Sequence, residues 1–491
     1  MTDGMTERNK WLALYVLCAG VLMIVLDLTV VNVALPQIQD DLGFSQSGLA
    51  WVVNAYLITF GGLLLLAGRL GDLISRRDVF LVGLAVFTTA SLFCGFAQSE
   101  AWLIIGRFVQ GIGGAMTSAV VLGMIVTMYR EPREQAKAIG VYGFVASAGG
   151  SIGLIAGGVL TQAISWHWIF FINVPLGIAT ALLTLRLLER DKGIGFGGGA
   201  DVLGAVLITA SLMLGVYTIV EPAAEFGWGA GRTLALGAGS LALLLAFIAR
   251  EATAANPLVP LRIFRSRNVS GANVVQALTV AGMFAMFFLG VLYLQEVLGY
   301  DALTTGLAFL PTTIVMGTLS VRYSERLIMR FGPKTTLIPG LVLITVGLAL
   351  FARVPVDGEY LRDILPAGLL IGAGVGAAFP SLMTLAMSGA TPQDAGLASG
   401  LVNTTAQVGA AIGLAVLATL SATHTENLLA DGEDRLSALT GGYHVGFIVG
   451  AALVGVSVIV AAVVLKPAPA PAMEHAAAPE SEEPAYAGVE A

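Results

Sequence analysis

Long apolar runs separated by short polar segments set the pattern of this chain. A helix needs about 20 predominantly apolar residues to cross a bilayer. Fourteen runs approach or exceed that length: 11–35, 48–68, 79–98, 102–128, 138–161, 168–187, 203–220, 233–250, 270–294, 304–322, 336–353, 364–386, 397–420 and 443–465. Gly and Pro interrupt the runs at 304–322 and 364–386. Such breaks are tolerated in membrane helices when neighbouring helices re-satisfy the backbone. The first run is too long for a cleaved leader and has no small-residue cleavage pattern, so it is expected to be a retained first span. The pattern predicts an all-α integral membrane protein.

The loop charges support this map. With the N-terminus placed in the cytoplasm, 20 of the 25 Lys and Arg residues fall on the cytoplasmic side, from Arg8 and Lys10 through Arg69, Arg76 and Arg77 to Lys334 and Lys466. Four fall on the other side (Arg232, Arg353, Arg362 and Arg435), and one, Arg107, is left inside a run. This asymmetry follows the positive-inside rule, and miscounting one span would scramble it. The expectation is a multi-pass protein of the cell membrane with both termini cytoplasmic.

Composition agrees. Of 491 residues, 56% are hydrophobic and 12% charged, where a soluble domain carries about 25% charged residues. Mean hydropathy is +0.85. The 61 glycines suit helices that pack closely in lipid. The two cysteines, Cys18 and Cys94, lie inside apolar runs and offer neither a disulfide framework nor a metal spacing. Residues 467–491 are rich in Pro, Ala and Glu and are expected to be a disordered tail.

Candidate chemistry begins with Asp27, a carboxylate inside the first span on a stripe with Gly20, Met23, Val30, Val31 and Ala34. A charge at mid-membrane costs about 2.5–3.5 kcal/mol on insertion scales. Two roles are open to it: a structural bond to a neighbouring helix, or a protonatable coupling group. Arg107 shares a helix face with Gln110, Gly111 and Gly114. It either snorkels to the interface or reaches a neighbouring span and tunes a carboxylate there. Gly149, Gly153 and Gly157 recur at steps of four in the fifth span, with Gly158 beside them, which predicts a small-xxx-small helix interface. In the loop after the second span, Gly68, Asp72, Arg76 and Arg77 either anchor the loop or form a charge network that locks one transport state. A weaker echo stands at Glu325–Lys334, as expected of repeated halves. Polar and aromatic residues placed in or beside spans, Asn32, Asn54, Tyr56, Gln110, Gln295, Asn403 and Gln407, are candidates to line a substrate cavity.

Other motifs are excluded by context. Gly149-Gly150-Ser151-Ile152-Gly153 matches a hydrolase elbow, but it lies in an apolar helix rather than at a strand-to-helix turn. Gly372-Ala373-Gly374-Val375-Gly376 also lies in a span, so packing explains it better than nucleotide binding. No Walker A pattern occurs, so the chain is not expected to hydrolyse ATP, and transport would run on an ion gradient or downhill. The four histidines have no metal-ligand spacing. No cofactor, metal or nucleic acid is expected, and the chain is not expected to be an enzyme.

At these residues the chain resembles the major facilitator superfamily, and within it the fourteen-span drug:proton antiporters of the EmrB/QacA type. Leu26-Asp27-Leu28-Thr29-Val30-Val31-Asn32-Val33-Ala34-Leu35-Pro36 is similar to that subfamily's first-span signature. Gly68 to Arg77 resembles the superfamily's loop motif, with Leu73 and Ser75 where Arg and Gly are usual. Arg107 with Gln110-Gly111 resembles the fourth-span motif linked to proton coupling. Trp166 to Gly177 looks like the start of span six, with His167 where Arg is more usual, and Leu154 stands where the exporter motif has Pro. Tyr293-Leu294-Gln295, Gly299-Tyr300 and Ala395 to Gly400 extend the likeness, which covers residues 11 to about 465.

The resemblance implies a cytoplasmic N-terminus (1–10), a six-helix bundle (11–187), a linker with two extra helices (188–268), a second six-helix bundle (269–465) and a cytoplasmic tail (466–491). It implies proton-coupled export of amphipathic small molecules by alternating access, with Asp27 and Arg107 in proton coupling and the glycines in packing and gating. The expected partners are small substrates, protons and membrane lipids, and the expected state is a monomer. Some members of that subfamily that export divalent cationic drugs carry acids in spans ten and thirteen; this chain has none there, so the resemblance implies monovalent, neutral or zwitterionic substrates. An exporter dedicated to one metabolite, antibiotic or lipid, or a proton-coupled nutrient importer, is also compatible with these residues.

Overall fold

The computed structural model describes residues 7–45, 48–129, 131–190, 193, 195, 201–388 and 395–467. The side chains of Asp72, Ser151 and Lys137, and the tail from 468 onward, lie outside the described residues. Every regular element described is a helix. In lipid this is dictated by the backbone, because a helix satisfies its own N–H and C=O groups where no water can.

The first group of helices runs α1 (Glu7–Leu42), α2 (Ala50–Leu73), α3 (Arg76–Gly95), α4 (Glu100–Met128), α5 (Pro132–Ala163), a single turn α6 (Trp168–Phe171) and α7 (Asn173–Leu187). Next come α8 (Val202–Val220), the short α9 (Pro222–Phe226) and α10 (Gly231–Thr253). The last group holds α11 (Arg267–Phe284), α12 (Gly290–Leu292), α13 (Ala302–Thr318), α14 (Ser324–Phe331), α15 (Pro333–Phe351), α16 (Leu365–Ser388), α17 (Ala395–Ala430) and α18 (Arg435–Val464). Wider π turns at Ala285–Leu289, Tyr293–Val297 and Leu319–Tyr323 join α11 to α12, continue α12, and join α13 to α14.

Thirteen helical stretches among the described residues are long and apolar enough to cross a membrane. The predicted runs are thus recovered except within α5, where the described apolar stretch is only Ile152–Ala163. At 36 residues, α1 is about 54 Å long and overshoots a hydrocarbon core of about 30 Å. Its sequence run of 11–35 therefore marked only the apolar part.

Glycine decides how closely these helices approach. Gly149, Gly153 and Gly157 lay α5 against α1, and a Cβ at Gly157 would stand 2.9 Å from the Val30 carbonyl oxygen. One residue on, Gly158 turns to the last group: a Cβ there would stand 2.6 Å from the Ala302 carbonyl oxygen. Gly306 returns the contact against Leu154. The two groups thus meet along α5–α13 and, at the other edge, along α2–α17, where Gly61 admits Gln407.

Toward the C-terminal ends of α1 and α5 and the N-terminal end of α13, further bonds join the groups. Gln295 Nε2 donates to the Val33 carbonyl at 3.0 Å, and Gln162 Nε2 to Asp301 Oδ2 at 2.9 Å. α8 rests on both α2 and α17, with Thr209 against Gly62 and Thr419 donating to the Ile219 carbonyl at 3.2 Å. α10 packs on α8, tied by Arg250 to Asp201 at 3.0 Å, and turns Leu234, Leu241 and Leu245 outward.

Candidate functional site

Asp27 and Arg107 meet inside the first group of helices. Arg107 Nη1 lies 2.5 Å from Asp27 Oδ2, with both side chains sealed from solvent. The other carboxylate oxygen accepts from Gln110 Nε2 at 2.7 Å and from Asn173 Nδ2 at 3.1 Å. Arg107 also donates to Gln110 Oε1 at 2.8 Å and, through Nε, to the Val52 carbonyl at 2.9 Å. Asn173 is itself placed by Ser91 Oγ at 3.0 Å, and Ser91 donates to the Phe170 carbonyl at 2.9 Å.

Each side chain has a local reason for its place. Arg107 and Gln110 are three apart on α4 and therefore share a face. Gly111 and Gly114 bring α2 so close that a Cβ at Gly114 would stand 2.6 Å from Tyr56 Oη. The Tyr56 ring then lies under the guanidinium, 4.5 Å from Cζ to the ring centre. A desolvated cation over an aromatic face gains about 2 kcal/mol. Asn173 opens α7, delivered to the pair by the turn that α6 makes after Trp166. A buried charge pair offsets its desolvation only when well aligned and hydrogen-bonded, and four helices contribute side chains to this one.

A separate cavity of about 320 Å3 lies between the two groups of helices. It is lined by Thr29, Gly150 and Leu154 from α1 and α5, and by Met283, Phe287, Thr313, Met316, Gly317, Ser320, Val375, Gly376 and Phe379 from the other group. Phe287 and Ser320 sit within π turns. Such turns widen a helix locally and recur at functional sites.

None of the seven polar and aromatic candidates lines this cavity. Tyr56 and Gln110 are fully buried around the ion pair, and Asn54 is buried in α2. Asn32 donates back to the Leu28 carbonyl of its own helix at 2.9 Å. Gln295 bridges to Val33, Gln407 packs at Gly61, and Asn403 is exposed. Gln110, Asn32 and Gln295 direct their polar groups to the ion pair, to their own helix and to a bridge between the groups, whereas the cavity wall is mostly apolar. In the loop motif, Arg76 donates to the Gly123 carbonyl at 3.3 Å and Arg77 to the Leu185 carbonyl at 3.1 Å. Gly71 lets Val120 approach, and Gly68 has Ala119 nearby. Sequence reasoning missed Asn173 and Ser91 as members of the pair's shell. A polar amide at the head of a span was the available signal for Asn173.

This arrangement of helices is matched by known proteins. The profile of the Major Facilitator Superfamily matches residues 17–414. The chain belongs to that superfamily. It is 38% identical over 458 residues to the puromycin resistance protein pur8 of Streptomyces alboniger, covering 93% of this chain and 90% of that one. It is 39% identical over 415 residues to the cephamycin export protein CmcT of Amycolatopsis lactamdurans, covering 84% and 85%. Among solved structures, a bacterial homolog to the human lysosomal transporter Spinster, inward-facing and unoccupied, matches with a TM-score of 0.67 at 15% identity, over 93% of this chain and 97% of that one. At that identity the likeness concerns the fold alone.

Proposed function

We propose that this chain is a proton-coupled exporter of amphipathic small molecules, working by alternating access across the cell membrane with both termini cytoplasmic. The observation that carries the reading is the buried Asp27–Arg107 pair, packed one helix thickness from a cavity between two groups of helices. An intramembrane carboxylate is a functional-site hypothesis by default, and proton relays are among the roles such groups serve. The names of the relatives, resistance and export proteins for antibiotics, support the outward direction.

In this reading, Asp27 accepts a proton when its side of the first group opens to water. Protonation removes the negative partner of Arg107, which keeps its bonds to Val52 and Gln110. The loss of ionic attraction loosens α1 from α4. Because α1 also walls the cavity through Thr29, the change reaches the substrate site without sharing it. Coupling needs only that proton and substrate favour different access states. The two groups of helices act as the rocking bundles, 11–187 and 269–465, α8 and α10 as the inserted pair, and α5 as the fourteenth span of the EmrB/QacA-type arrangement. The glycines on α4 and α5 provide close sliding surfaces, and Gly68 to Arg77 holds one state.

A dedicated exporter of a single compound is a second reading, favoured by relatives named for one antibiotic each, such as lincomycin. Everted membrane vesicles test the proposal. A dye or antibiotic should accumulate on imposing a proton gradient. Accumulation that persists after the gradient is collapsed would remove proton coupling from the account.

A further inference from the structure

We propose that the central cavity selects uncharged, lipophilic ring systems and disfavours organic cations; this rests on the cavity being the substrate site of the exporter proposed above. The side chains described along its wall carry no ionisable group. Asp27, the carboxylate on the helix that supplies Thr29 to the wall, is unavailable. It is two residues from Thr29 on α1, about 200° around the helix, and its two oxygens are bound by Arg107, Gln110 and Asn173. A cation entering the cavity would shed water without gaining a partner, and burying an unpaired charge is costly.

Two features soften that cost without supplying a counter-ion. Phe287 and Phe379 present ring faces to the cavity, one of which Phe287 uses on Phe309 at 6.3 Å and 27°; a ring face gives a cation less than an unpaired charge loses on burial. The hydroxyls of Thr29 and Thr313 donate to the Val25 carbonyl at 3.0 Å and the Leu310 carbonyl at 2.9 Å, which leaves oxygen lone pairs that can contact a cation but carry no charge to neutralise it. What those hydroxyls offer the cavity is acceptor capacity, suited to a neutral OH or NH donor. Met283 and Met316 add polarizable, adaptable contact that favours aromatic rings. The volume, about 320 Å3, is at the lower end of drug-sized pockets. Gly317 leaves room in the wall, since a Cβ there would meet nothing within 4 Å. Gly317 therefore sets how large a ring system fits.

The test compares two probes of one shape, acridine and N-methylacridinium, by equilibrium binding to the full-length purified protein at pH 8, where acridine is neutral. Acridine should bind at least about tenfold more tightly, a difference of about 1.4 kcal/mol. Gly317→Phe should abolish acridine binding. Thr313→Glu should reverse the order by supplying a counter-ion. Equal or tighter binding of N-methylacridinium by the unaltered protein, or undiminished acridine binding by Gly317→Phe, would overturn the proposal. Proton-driven acridine accumulation in everted vesicles is read separately. Charge-ranked binding without accumulation would defeat the export reading and leave the cavity's selectivity standing. Accumulation with no charge ranking would do the reverse.

Discussion

Asp27 and Thr29 stand on opposite faces of one helix: the carboxylate is bound to Arg107 inside the first group, while Thr29 borders the central cavity. The proton site and the substrate site are therefore two sides of the same wall. Asp27→Asn should accordingly abolish proton-driven uptake into everted vesicles while changing equilibrium substrate affinity less than about threefold, below 0.7 kcal/mol. A large loss of affinity would show that Asp27 touches substrate.

Removing one member of a buried pair strands the other, which typically costs about 3–5 kcal/mol. Asp27→Asn alone should lower the thermal midpoint of the purified protein. Adding Arg107→Gln should recover part of that loss without restoring coupling. If the double variant is no more stable than the single, the pair is not the source of the instability.

Arg107→Lys should fail to transport despite keeping the charge. The guanidinium bonds Asp27, Gln110 and the Val52 carbonyl from a planar fork and lies over Tyr56. An ammonium is a compact point charge that cannot reproduce that set. Vesicle transport above about a tenth of the original rate would show that charge alone is enough.

Gly158→Leu should force α5 from α13, since overpacking costs about 1–3 kcal/mol. Cysteines substituted for Gln162 and Asp301, whose side chains now bond at 2.9 Å, report the separation. Their oxidative cross-linking should fall in the Gly158→Leu background, and unchanged cross-linking would place the contact elsewhere.

The Thr304 backbone N–H and hydroxyl hold the Asp301 carboxyl below the usual aspartate range, with Gln162 adding to the effect. A lowered folded value gives stabilisation that is present above the ordinary aspartate value of about 3.9 and lost as pH falls through the folded one. Between pH ~5 and 8 the group should stay ionised. Asp301→Asn should leave the pH profile of transport unmoved in that window, and a displaced profile would assign Asp301 a part in coupling.

The membrane helices were legible because lipid imposes a single rule on long stretches of sequence. Asp27 and Arg107 were legible because ionised groups are rare in such stretches. That they pair was not, since they are 80 residues apart and nothing local relates α1 to α4. The cavity wall was illegible for a different reason. Met283, Phe287 and Phe379 look the same in sequence whether they face lipid, a neighbouring helix or a cavity. The polar residues drew attention instead, and Asn32, Gln110 and Gln295 serve the scaffold. The seat of α8 on both α2 and α17 likewise had no local signal, because Gly62 and Thr209 become neighbours only in the assembled fold.

α8 gives the molecule a spine along one edge. Parting α2 from α17 would strip α8 from at least one of them, whereas no helix from outside the two groups spans the α5–α13 edge among the described residues. In the alternating access proposed above, α8 would therefore hinge the groups at one edge and leave α5 and α13 as the edge that parts. Gly158 and Gly306 lie on that edge, where close backbone contact and the Gln162–Asp301 bond, rather than a third helix, hold the groups together.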